Sequence, residues 1–162
     1  MNILLSIPND GTANNYLINA LQDLGHSVFY VDHRRSLDFA NGFVNHTLQQ
    51  EKIDYMFVGH LADGQTYTAH FLRMLKVNYP DLKILSVFFD VYIDGKFTWD
   101  NSRFVELMKE YHYSFFVTPT DVEKLRNLGV NAHEMFFGFD HSMKLSTVPD
   151  KDLDISFIGQ FG

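Results

Sequence analysis

The chain has no cysteine. That excludes a disulfide framework, a thiolate nucleophile and a Cys-type zinc site, and it leaves the fold to rest on packing alone. Basic residues are in short supply as well: 13 Lys and Arg stand against 20 Asp and Glu, a formal net charge of -7. A surface of that sign has no broad electrostatic grip on nucleic acid or an anionic membrane, so neither is expected as a partner. Long apolar runs are missing too. No stretch reaches the roughly 20 apolar residues of a transmembrane helix. The opening residues, Met1 to Asn9, lack the basic lead-in of a signal peptide and read instead as a buried first strand. A cytoplasmic setting is the expectation.

What is abundant is apolar and aromatic material. Of 162 residues 46% are hydrophobic, with 16 Phe and 8 Tyr, enough for a substantial core. Short β-branched and aromatic runs alternate with segments of helical period, which predicts an α/β fold: a doubly wound, Rossmann-like parallel sheet with helices on both faces. Strands are predicted at Asn2 to Ile7, Ser27 to Val31, Tyr55 to Val58, Lys83 to Phe89, Ser114 to Val117 and His133 to Phe137. Several are apolar on consecutive residues, as sheets covered on both faces require. Leu17, Ala20, Leu21 and Leu24 mark a helix stopped by Gly25; Tyr67, Phe71 and Leu75 mark another, ended by Pro80. Phe104, Leu107, Met108 and Tyr111 mark a third, and Thr120 with Glu123 reads as a capping box for a fourth, closed by Gly129. A helix over Phe43 to Gln50 has a thin apolar face. Residues 1–140 form one unit and 141–153 an exposed connector. Residues 154–162 then return to a strand pattern, like the opening of a second unit cut short.

In an open parallel sheet, ligands bind beyond the carboxyl ends of the strands. Those loops hold Asn9, Asp10, Gly11 and Thr12; Asp32, His33, Arg34 and Arg35; Gly59 and His60; Asp90 and Asp94; Thr118 and Thr120; and Gly138 and Asp140. The first loop has one Gly and no G-x-G-x-x-G, and no P-loop pattern occurs, so no nicotinamide, flavin or other bound cofactor is expected. The 8 His show neither H-x-x-x-H nor H-E-x-x-H spacing, which argues against a metal site. A phosphorylation receiver calls for Asp at the end of the third strand and Lys before the Pro after the fifth; this chain has Gly59 and Thr118. Asp90, directly after a buried strand, serves either as a general base for a hydroxyl or as a turn residue. His33 and His60 either touch a ligand or are satisfied within the fold, and Arg34 with Arg35 either takes an anion or solubilises the surface.

Gly138-Phe-Asp140, a polar connector and then Asp154-Ile-Ser-Phe-Ile-Gly159 resemble the interdomain passage of GT-B glycosyltransferases, in particular the group-1, spore-maturation-protein type. The resemblance implies the acceptor-binding N-terminal half of an enzyme that moves a sugar from a nucleotide-sugar donor to an acceptor hydroxyl, without a tightly bound metal. It implies Asp90 as the catalytic residue and a place for Gly159 near the donor. Asn9, Asp10, Gly11, His60, Asp94, Thr118, Gly138 and Asp140 are then the remaining substrate-binding candidates. A chain ending here would lack the donor-binding domain and be inactive alone. The rival reading is a non-catalytic doubly wound module that binds a small ligand or a partner protein.

Overall fold

A computed structural model describes residues 1–8, 12–34, 36–60, 67–88 and 101–135. Strands and helices alternate along it: β1 (Asn2–Ser6), α1 (Thr12–Asp23), β2 (Ser27–Val31), α2 (Leu37–Gln50), β3 (Tyr55–His60) and α3 (Ala69–Asn78). There follow β4 (Lys83–Phe88), α4 (Asn101–Met108), β5 (Tyr113–Phe116), α5 (Pro119–Asn127) and β6 (Ala132–Glu134). The strands form one sheet, parallel throughout, in the order β2-β1-β3-β4-β5-β6. The chain steps from β1 to one edge and afterwards always toward the other. Right-handed crossovers then place α1 on one face and α2 to α5 on the opposite one, which is the doubly wound α/β architecture expected.

Register assigns the strand residues to these faces. Leu4 lies level with Met56, and Met56 with Ile84, so all three point the same way. They join Ala40, Val44, Leu72 and Leu125 from the helices in the main core. At its centre Phe88 stacks on Phe116 with centroids 4.6 Å apart and meets Phe104 edge-on at 5.7 Å. Each fully buried ring of this kind contributes about 1.5–3 kcal/mol. Ile3, Leu5, Ile7 and Leu85 are buried on the face of α1.

The predicted strands are recovered within a residue or two over the described residues, although β3 runs on to His60 and β6 is only Ala132–Glu134. Two helix starts differ from expectation. α5 opens at Pro119, with Thr118 as its N-cap, because proline's fixed φ and missing N–H suit the first helical position. The Thr120–Glu123 pair is therefore inside the helix and is not its cap. α2 starts at Leu37, well before Phe43, because the Ser36 hydroxyl accepts the Phe39 N–H at 3.1 Å. The stops at Gly25 and Gly129 are as expected: their φ values are 81° and 84°. The following residues, His26 and Val130, return their N–H groups to Leu21 and Leu125 at 3.0 Å in each case.

Candidate functional site

The order of the sheet reverses at β1, so the crevice of the topological switch lies between the carboxyl ends of β1 and β3. Ile7 extends the β1 pairing by donating its N–H to Val31 at 3.2 Å. Across from it stands Gly59, where an added Cβ would come within 2.7 Å of Ile7 Cγ2. Glycine is what lets the two strand ends approach. An aspartate, as a phosphorylation receiver has at this position, would require the Ile7 side chain to shift.

Beneath β1, on the side of α2 to α5, three polar side chains are buried together: Ser6, His33 and Tyr67, which are 0%, 3% and 2% exposed. Ser6 Oγ lies 2.6 Å from the Tyr67 hydroxyl and 3.2 Å from His33 Nδ1. Each arrives from a different element. Ser6 ends β1 on the same face as Leu4, and Tyr67 sits just before Thr68, whose hydroxyl caps α3 by accepting the Phe71 N–H. His33 lies in the turn after β2, where Asp32 Oδ1 accepts the Arg34 N–H at 3.0 Å. The Tyr67 ring stacks on Phe71 at 5.1 Å and meets His33 edge-on at 6.2 Å. Burial pushes the Tyr67 phenol up to about 12, with the Ser6 hydrogen bond pulling weakly the other way. Tyr67 is thus protonated at any physiological pH. Ser6 can accept from Tyr67 and donate to His33, or the chain of donors can run in reverse with the other His33 tautomer. The trio is a hydrogen-bonded support for the crevice floor.

The sequence candidates disperse. Asp32 is engaged with Arg34, by the backbone bond and by an ion pair at 3.8 Å. Thr118 donates to Asp121 Oδ2 at 2.6 Å, a contact within the first turn of α5. Gly59 and His60 are in β3 and not in a loop after it, with His60 level with Phe88. Among the strand-end candidates whose side chains are described, His33 alone joins a buried cluster. Asn9, Asp10, Gly11, Arg35, Asp90, Asp94, Gly138, Asp140 and Gly159 lie outside the described residues. Ser6 and Tyr67 escaped the sequence reading because each also fits a bland pattern, one a strand residue and the other a member of an aromatic stripe. A cavity of about 220 Å³ opens at the opposite, amino end of the sheet, lined by residues that include Glu51, Asp54, Tyr79 and Asp81. Asp54 there is occupied by the Asn2 N–H at 2.8 Å. Among the described residues no three metal-ligating side chains come together, and no helix is long and apolar enough to cross a membrane.

No protein-family description and no curated protein matches this chain. Solved structures do. A response regulator from Thermotoga maritima matches at 17% identity and a TM-score of 0.48, over 78% of this chain and 95% of its own. The receiver domain of NtrC4 from Aquifex aeolicus matches at 15% identity and a TM-score of 0.48, over 80% and 94%. The response regulator TrrA from Thermotoga maritima, solved with Mg²⁺ and BeF, matches at 12% identity and a TM-score of 0.47, over 79% and 99%. These likenesses concern the layout of sheet and helices. They are to receiver domains and not to GT-B domains, which corrects the glycosyltransferase resemblance, its transferase activity, and the nucleotide-sugar donor and acceptor hydroxyl as partners. The short motifs behind it, Gly138 to Asp140, Asp154 to Gly159 and Asp90, all fall outside the described residues.

Proposed function

We propose that the chain is a non-catalytic doubly wound module that binds a small ligand at the crevice between the ends of β1 and β3. The observation that carries this reading is the buried trio Ser6, His33 and Tyr67, whose inward-facing hydroxyls satisfy each other and whose phenol is held protonated. Such a cluster fixes a shape, and its phenol stays protonated at neutral pH. At the strand ends, Gly59 lets β3 come close to Ile7 of β1. A cytoplasmic location belongs to the same proposal, in keeping with the cysteine-free, acidic composition.

The test is ligand-observed NMR with a panel of small heteroaromatic and hydroxyl-bearing fragments. Fragments should bind and be recovered unchanged after prolonged incubation. Tyr67→Phe, which keeps the ring and removes the hydroxyl, should weaken them about 2- to 10-fold, the worth of one hydrogen bond in positioning. Chemical conversion of a fragment, or binding indifferent to Tyr67→Phe, would refute the reading.

A further inference from the structure

The start of β5 is held to β4 by a side chain where a strand would use backbone. His112 precedes β5 and gives its own N–H to the Ile84 carbonyl at 2.8 Å. The return bond, which a longer strand would supply from its next carbonyl, comes from the imidazole: Ile84 N–H donates to His112 Nδ1 at 3.0 Å. The His112 carbonyl meanwhile accepts from Asn131 Nδ2 at 2.6 Å, tying the same residue to the turn before β6. One histidine thus joins β4, β5 and the approach to β6.

We propose that His112 is an acid-sensitive latch: uncharged, its ring accepts the first inward amide of β4; protonated, it lets that amide go and loosens β5 and β6 from the rest of the sheet. A nitrogen can accept the Ile84 N–H only while it carries no proton, so protonation at Nδ1 sets two donors face to face. The surroundings favour the closed state. Burial comes first in holding His112 below the ordinary histidine value, followed by the positive charges of Lys83, beside it in β4, and Lys76, on α3. Lys76 is itself paired with Glu110 at 2.6 Å, just past α4. Because the folded value is depressed, the contribution is fully present above the unfolded histidine value of about 6.5 and is lost as pH falls from there through the folded value.

The experiment is a ¹⁵N–¹H NMR titration of the full chain from about pH 7.5 to about pH 5, across the histidine range. The Ile84 amide signal should move with the His112 ring and lose about tenfold in exchange protection, the size of one hydrogen bond, while the Leu4 amide keeps its own. His112→Asn puts a non-titrating oxygen close to the Nδ1 position. It should hold the Ile84 amide across the range and remove about 2–4 °C of the acid-induced fall in melting temperature. An Ile84 amide that ignores the ring titration overturns the proposal, and the wild-type chain alone decides this should the variant not fold. An Asn variant with an unchanged acid response overturns it equally.

Discussion

At Gly59 the whole cost of a side chain falls on one neighbour. A methyl group there meets Ile7 Cγ2 at 2.7 Å, so Gly59→Ala should destabilise by about 1–3 kcal/mol as an overpacked site. In an Ile7→Ala background the same change should cost much less, because the opposing atom is gone. Urea unfolding of the four proteins measures the coupling, and simple additivity would show that the close approach of β1 and β3 is not what excludes a side chain. The identity of Gly59 was plain in the sequence, but its reason was not: contact with Ile7 across 52 positions exists only once the strands are paired. The trio was hidden for the same reason. Ser6 is separated from His33 by 27 positions and from Tyr67 by 61, and no local pattern connects them.

At the scale of elements the sequence was far more informative, because strands and helices are written in spacings of a few residues. The glycine stops of α1 and α5 were legible since only a residue free to adopt positive φ closes those turns. The starts of α2 and α5 were read too late, as a capping serine and a first-turn proline carry less periodic signal than an apolar stripe. The stripe of α1 misleads in another way: Leu17 and Leu24, which define it, remain 38% and 72% exposed. Between α3 and α4, Arg73 and Lys76 meet Glu110 at 2.7 and 2.6 Å, and Arg73 also reaches Glu106 at 2.5 Å. Burial alone would raise the Glu110 carboxyl, but hydrogen bonds from Lys76 and Arg73, with their charges, outweigh it and hold the group below its ordinary value. The contribution of this network through Glu110 is therefore intact above the ordinary glutamate range and is lost as pH falls through the depressed folded value. Glu110→Gln should flatten the acid limb of the stability curve below about pH 5, at acidity beyond the histidine range. If the limb keeps its slope, the network is surface decoration of the kind exposed ion pairs often are.

For the whole molecule, the parallel doubly wound sheet follows from alternation of strand and helix, and that was readable throughout. Strand order was not, since it depends on which strands the crossovers choose, and the place of the crevice depends on strand order. Function was least legible. Asp90, Asp94 and the motifs from Gly138 to Gly159 suggested chemistry by their place after predicted strands and by resemblance, whereas the described structure joins Ser6, His33 and Tyr67 in one buried hydrogen-bonded group. The central proposal is that a ligand is held at the carboxyl ends of β1 and β3, above that trio. The direct test is crystallographic. Crystals of the chain soaked with the fragments that bind in solution should show density against Ile7, Pro8 and Gly59. Occupancy instead at the amino end of the sheet, in the cavity beside Glu51, Tyr79 and Asp81, would contradict it.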